Sequence, residues 1–193
     1  MNRAVFLDRD GTLIEEKGYV CHFSEVVVFS FAVEALRRFN EMNYRTVIVT
    51  NQSAVARGIC SEREVRNLHE ELRLHFQRRG AVIDAVYFSP FLEEAVVERY
   101  RARHSLRKPS PGMLIQAAGD LNLDLRSSWM IGDSAIDIKA GIDAGCRTVL
   151  VRTGKGKSVE MELAGDAVRP DRIEDDVLAA ARAIARLSRS RRA

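Results

Sequence analysis

The chain has 193 residues with 30 Lys+Arg, 27 Asp+Glu and 46% apolar residues, enough for one domain with a sizeable core. That balance excludes intrinsic disorder, collagen and coiled coil as descriptions of the whole, and no apolar run approaches the ~20 residues of a membrane helix. The net charge of +3 is unevenly spread: from Val177 onward there are five arginines and no acid, so the rest of the chain carries −2.

In chain order, Ala4–Leu7 (AVFL) reads as a strand buried on both faces, ending at Asp8. A polar loop from Asp10 to Ser24 follows, then a minor strand over Val26–Phe29. Ala32–Met42 is predicted helical, with Leu36 and Phe39 on one face. Thr46–Val49 (TVIV) is a second buried strand, ending at Thr50. Ser61-x-x-Glu64 is a capping box that opens a helix to about Arg79, with Val65, Leu68, Leu72 and Phe76 as its apolar stripe. Ala85–Phe88 is a third strand. An irregular stretch from Ser89 to Ser110 precedes a helix that Pro111 starts and that runs to about Leu121. Trp129–Ile131 is a fourth strand, entering Gly132-Asp133. Ala135–Ala144 is a short helix closed by Gly145, Thr148–Val151 a fifth strand, and Glu174–Leu187 a terminal helix. Strands alternating with helices predict an α/β fold: a Rossmann-like, doubly wound, mostly parallel sheet with helices on both faces. One domain is expected over residues 1–187, with a short basic tail over 188–193. That tail reads as a solubilising terminus rather than a nucleic-acid grip, since no aromatic residue interleaves its charges.

Three cysteines (Cys21, Cys60, Cys146) are widely spaced and odd in number, so no disulfide framework is expected. The apolar core of the opening MNRAVFLDRDGT is too short for a signal peptide. Both features point to a reducing, cytoplasmic setting. His22, His69 and His75 show no ligand spacing and read as structural. Arg9 reads as a surface or supporting residue. Gly154–Lys157 (GKGK) lacks the spacing of a phosphate-binding loop and reads as a flexible basic loop.

Ligands of open α/β sheets bind beyond the carboxyl ends of the strands. At that edge the predicted strands deliver Asp8, Thr50 and Asp133, with Asp10 two residues past Asp8. One such Asp is ordinarily a cap or turn former; three converging carboxylates are harder to explain that way. Two carboxylates ~5 Å apart repel by roughly 3 kcal/mol at an effective dielectric of ~20, so the cluster needs a cation. Oxygen-only donors select Mg²⁺ before zinc. With Lys108 and the Thr50 hydroxyl, the set suits a phosphoryl group, and a carboxylate there can act as nucleophile.

The segments Asp8-Arg9-Asp10-Gly11-Thr12, Thr50-Asn51-Gln52-Ser53, Arg107-Lys108-Pro109 and Gly132-Asp133 with Asp137 resemble, in order and spacing, the four signatures of the haloacid-dehalogenase-like phosphatases. Within that superfamily Gly18–Val20, Asn51–Gly58, Arg107–Leu114 and Ala144–Gly154 are similar to the D-glycero-D-manno-heptose 1,7-bisphosphate 7-phosphatases. The resemblance implies that Asp8 attacks phosphorus, that Asp10 serves as acid and then base, and that Thr50 and Lys108 hold the phosphoryl oxygens. Asp8, the Asp10 backbone carbonyl and Asp133 would bind Mg²⁺, and Asp137 would support Lys108 or the metal shell. Glu16, Lys17, Gly18, Tyr19, Asn51, Gln52, Ser53, Arg57, Arg107 and Ser134 would contact substrate, with Arg107 on the distal phosphate. No large cap domain is visible. The substrate implied is a small phosphorylated sugar, the expected state is a monomer, and no membrane or nucleic-acid partner is expected.

The family often carries zinc on a C-x-H and a C-x-C pair before RKP. Here those positions are Ser89 and Phe91, and His104 and Leu106; one ligand cannot make a four-coordinate site, so no zinc is expected. The loop is then expected to be held by packing of Phe91, Leu92, Val96, Val97 and Tyr100. Ser134 stands where the heptose family often has Lys. Histidinol phosphate, another small phosphomonoester or a nucleic-acid 3′-phosphate remain alternative substrates, and an inactive binding module is the non-enzyme alternative.

Overall fold

Continuous apolar runs can be satisfied only by burial on both faces of a sheet, and the chain supplies five of them. In the computed structural model, which describes residues 2–163, 165 and 168–190, six strands form one parallel sheet: β1 (Arg3–Leu7), β2 (Tyr44–Asn51), β3 (Ala85–Ser89), β4 (Trp129–Gly132), β5 (Arg147–Val151) and β6 (Arg172–Glu174). Their order is β3-β2-β1-β4-β5-β6. Side chains alternate between two cores. Val5, Leu7, Ile48, Trp129, Ile131, Val149 and Val151 face one layer. Ala4, Phe6, Val47, Val49 and Met130 face the other.

The helices cover those faces. α1 (Ala32–Glu41), α3 (Glu62–Gln77) and α7 (Val177–Ser190) bury Leu36, Phe39, Leu72, Phe76 and Ile184 on the first face. α4 (Gly112–Leu121) buries Met113, Leu114 and Ala117 on the second, where α5 (Ala135–Asp143) adds Ala140. Two short helices, α2 (Ser53–Ala56) and α6 (Gly156–Leu163), complete the set. α3 starts as its sequence requires: the Ser61 hydroxyl accepts from Glu64 N, and Glu64 returns a bond to Ser61 N at 2.7 Å.

Several expectations need correction. Val26–Phe29 makes no strand; Val28 only bridges to Ile14 in the loop that follows β1. Glu174 closes β6 rather than opening a helix, and α7 begins three residues later. The three-residue β6 is too short and polar to announce itself. GKGK is not a loose loop, since Gly156 and Lys157 start α6, which packs Val159 and Leu163 against Leu150. α7 runs through Ser190, past the expected boundary at Leu187, and Arg191, Arg192 and Ala193 of the basic tail lie outside the described residues. Cys21 and Cys60, 39 residues apart, form a disulfide with Cα atoms 5.7 Å apart. Spacing along the chain could not show that these two loops meet. The bond removes the ground on which a reducing compartment was expected. Among the described residues, no helix is long and apolar enough to cross a membrane.

Candidate active site

The strand order reverses between β1 and β4, and there the first connections beyond the two strands part to opposite faces of the sheet. Asp8 follows β1 and Asp133 follows β4, so both carboxylates open into the crevice at this switch point. The Asp8 N–H donates to the Ile131 carbonyl (2.9 Å), pinning the turn after β1 to its neighbour. Gly11 (φ +77°) and Gly154 (φ +54°) lie against the Asp133 carboxylate, where a Cβ at either position would collide with it. Asp133 also accepts from Lys155 N at 2.8 Å.

A cavity of about 350 Å³ opens above these residues. It is lined by Asp8, Asp10, Thr50, Lys108, Asp133 and Asp137, with Glu16, Gly18, Tyr19, Asn51, Gln52, Ser53, Arg107 and Ser134 at its walls. Two expected contacts are not brought to it. Lys17 sits 3.8 Å from Glu15 on the outer side of the loop, and Arg57 lies over the Tyr19 ring, 5.8 Å from its centroid. Lys155 does line the cavity, 3.5 Å from Glu16. The GKGK pattern marked it, and the reading as a free loop hid it.

Lys108 is 2% exposed, and its ammonium donates two hydrogen bonds and makes an ion pair on its buried side. It lies 2.7 Å from Asp8 Oδ1, 2.6 Å from Asp137 and 2.8 Å from the Val49 carbonyl. Burial works against its charge, but Asp137 and Asp8 outweigh that and raise its pKa. The backbone of Lys108 is gripped by the Asn51 side chain, which donates to its carbonyl (2.9 Å) and accepts from its N–H (3.1 Å). Asn51 therefore builds the site as well as lining it.

The loop that carries Arg107 and Lys108 is held without cysteines. Phe91 stacks on His104 with ring centroids 3.8 Å apart and planes 6° apart. His104 Nδ1 accepts from Leu106 N at 3.1 Å. Arg107 donates to the Phe91 carbonyl at 2.8 Å. Tyr100 is buried with Ala95, and Leu92 and Val97 pack around them. Val96, expected to pack there, is 72% exposed. Three of the four positions where the family often has two zinc pairs, Phe91, His104 and Leu106, thus form a hydrogen-bonded ring stack. Burial and the neighbouring Arg57 lower the pKa of the Arg107 guanidinium, so this wall carries positive charge that an anion would relieve.

Asp8, Asp133 and Asp137 present carboxylate oxygens that all lie within 4.8 Å of one another. Burial holds the Asp8 carboxyl up at about 8, with Lys108 opposing and Asp137, Asp10 and Asp133 adding to the rise. Burial likewise raises Asp133 to about 6. Lys108 neutralises Asp137 and one oxygen of Asp8, which leaves excess negative charge toward Asp133. An all-oxygen donor set with surplus charge fits a hard divalent cation.

Arg9, expected at the surface or in a supporting role, is 1% exposed. It bonds both oxygens of Asp10, the Gln52 carbonyl oxygen and His69 Nε2. Nothing in the spacing of Arg9 and His69, sixty residues apart, signalled this contact.

A family model described as HAD-hydrolase-like matches residues 105–181. The chain is 40% identical over 166 residues to the D-glycero-beta-D-manno-heptose-1,7-bisphosphate 7-phosphatase of Yersinia pestis, covering 86% of this chain and 88% of that one. It belongs to the haloacid-dehalogenase-like phosphatases. It is therefore an enzyme, a hydrolase of phosphoric monoesters. The D-glycero-D-manno-heptose-1,7-bisphosphate 7-phosphatase of Thermosynechococcus vestitus is 42% identical over 181 residues, 92% of each chain. Among solved structures, the D,D-heptose 1,7-bisphosphate phosphatase from B. bronchiseptica complexed with magnesium and phosphate superposes with a TM-score of 0.84. It is 27% identical and covers 96% of this chain and 99% of its own. The phosphatase signatures of this chain fall just after β1, at the end of β2, in the loop before α4 and at the end of β4, and all four reach the same cavity.

Proposed function

We propose that this phosphatase removes the 7-phosphate of D-glycero-D-manno-heptose 1,7-bisphosphate, with Mg²⁺, through an aspartyl-phosphate intermediate. The observation that carries the reading is the contact of Lys108 with Asp8 and Asp137 beside an unneutralised Asp133. The names of the relatives, and the magnesium and phosphate complexed with the B. bronchiseptica enzyme, support the substrate and the ion.

Asp8, Asp133 and the Asp10 backbone carbonyl would hold Mg²⁺, with Asp137 committed to Lys108; the ion when bound supplies positive charge against the phosphoryl oxygens. Asp8 retains 9% exposure at the cavity floor and attacks phosphorus while the bond from phosphorus to the sugar oxygen breaks. Thr50 and Lys108 hold the phosphoryl oxygens. Asp10 gives a proton to the departing sugar oxygen, then takes one from the water that attacks the aspartyl phosphate. Arg107, half-buried beside Arg57, meets the distal phosphate, for which a guanidinium fork is suited. Glu16, Gly18, Tyr19 and Ser53 contact the sugar, and Lys155 supplies a cation beside Ser134. The enzyme acts as a monomer on this reading.

Phosphate release with Mg²⁺ from heptose 1,7-bisphosphate, histidinol phosphate and a 3′-phosphorylated oligonucleotide tests it side by side. The bisphosphate is expected to give the highest kcat/KM, with loss of the 7-phosphate resonance in the phosphorus spectrum. Equal turnover of all three, or loss of the 1-phosphate, would contradict it.

A further inference from the structure

The buried Arg9–His69 pair lies outside every role assigned so far, and four hydrogen bonds define what it does. Arg9 Nε donates to Asp10 Oδ2 (3.0 Å), and Nη2 donates to Asp10 Oδ1 (3.1 Å) and to Gln52 Oε1 (3.0 Å). Nη1 meets His69 Nε2 at 2.9 Å. Gln52 closes the ring: its Nε2 donates to Asp10 Oδ2 (3.1 Å) and to the Thr50 hydroxyl (2.9 Å). Arg9, His69 and Gln52 are each at most 5% exposed.

Counting lone pairs shows the consequence. Oδ2 of Asp10 accepts from Arg9 and from Gln52, which uses both of its pairs. Oδ1 accepts only from Arg9, which leaves one pair free. We infer that Arg9 and His69 are positioning residues that hold the Asp10 carboxyl so that Oδ1 alone exchanges the reaction's proton. His69 serves by accepting. Burial, and secondarily Arg9 and Arg66, keep its imidazole neutral, with its pKa lowered to about 3, so Nε2 takes the Arg9 N–H and stops the guanidinium from turning in its plane. His69 is carried by α3 and set edge-on to Phe88, with centroids 5.5 Å apart. A helix remote from the chemistry thus fixes the acid-base group.

The inference rests on Asp10 being the proton relay. In the first step the Asp8–phosphorus bond forms, the ester bond breaks, and the leaving oxygen takes the Oδ1 proton. In the second, water's oxygen bonds to phosphorus, its proton goes to Oδ1, and the Asp8–phosphorus bond breaks. A nitrophenolate leaves without a proton, so p-nitrophenyl phosphate isolates the second step.

The test is pre-steady-state nitrophenolate release by the full-length enzyme with Mg²⁺, comparing the parent with Asp10→Asn, His69→Leu, His69→Gln and Arg9→Lys. His69→Leu is expected to give a burst of about one equivalent, followed by steady turnover roughly 10²-fold slower, the scale of a displaced catalytic group. KM is expected to stay near the parent value. His69→Gln, which keeps an acceptor, should recover most of the steady rate. A merely structural role would slow burst and steady phases together, and that result would overturn the inference, as would unchanged kinetics. Arg9→Lys, which keeps the charge but loses the fork, carries the same expectation if His69→Leu does not fold. Asp10→Asn must itself show the burst. If it does and the His69 and Arg9 variants do not, the positioning role alone fails; if it does not, the proton-relay reading fails and takes this one with it.

Discussion

Three carboxylates and a lysine share the floor of the cavity, and their ionisation decides how the enzyme responds to pH and metal. Burial holds the Asp8 carboxyl at about 8 and the Asp133 carboxyl at about 6, both from an ordinary 3.8. Without a cation, the folded protein therefore binds more protons than the unfolded chain between about pH 3.8 and pH 8. The stabilising contribution is fully present below pH 3.8 and is lost as the pH rises through 6 and then 8. On the proposed mechanism, a divalent cation would replace those protons, and its binding would release them. The rise in Tm on replacing EDTA with Mg²⁺ is thus expected to grow steadily from pH 5 to pH 8. A rise that is the same at every pH would show that these carboxylates are not the ion's ligands.

The loop between β3 and α4 shows how an element can keep its shape with different chemistry. Its anchor is the Phe91–His104 stack, with the His104 imidazole bonded to Leu106 N and Arg107 bonded to the Phe91 carbonyl. His104→Ala removes the stack, worth about 1 kcal/mol beyond the area it buries. Lys108 is held independently by Asn51, Asp8 and Asp137. The expected outcome is a several-fold higher KM for the bisphosphate with kcat near the parent value, since Arg107 loosens and Lys108 does not. A loss confined to kcat would contradict this division. The Cys21–Cys60 bond ties the loop bearing Glu16 to Tyr19 to the turn between α2 and α3, and both cysteines pack in the same cluster as Phe91, Leu92, Ala95, Val97 and Tyr100 of the β3–α4 loop.

Across the whole molecule, the parallel sheet was legible because its five longer strands are apolar runs, three of which lead into Asp8, Thr50 and Asp133. Asp8, Thr50, Lys108 and Asp133 converge in one cavity for the same reason: each sits at or just beyond a strand end, or on the loop beside one. What stayed hidden depends on contacts between distant segments. The pairing of Cys21 with Cys60, Arg9 with His69, and Lys155 with the cavity wall leaves no periodicity in the sequence. β6 and α6 were missed because a three-residue strand with one apolar side chain and a helix with a single buried apolar pair carry too little pattern. On the proposed mechanism, the switch-point cluster exists to make Asp8 a nucleophile. Acid quenching of Asp10→Asn during its first turnover with Mg²⁺ and p-nitrophenyl phosphate, followed by mass analysis of the peptide that contains Asp8, tests this directly. A phosphoryl group on Asp8, appearing in step with nitrophenolate release, is the expected outcome. Nitrophenolate released with phosphate on another residue, or on none, would rule Asp8 out as the nucleophile.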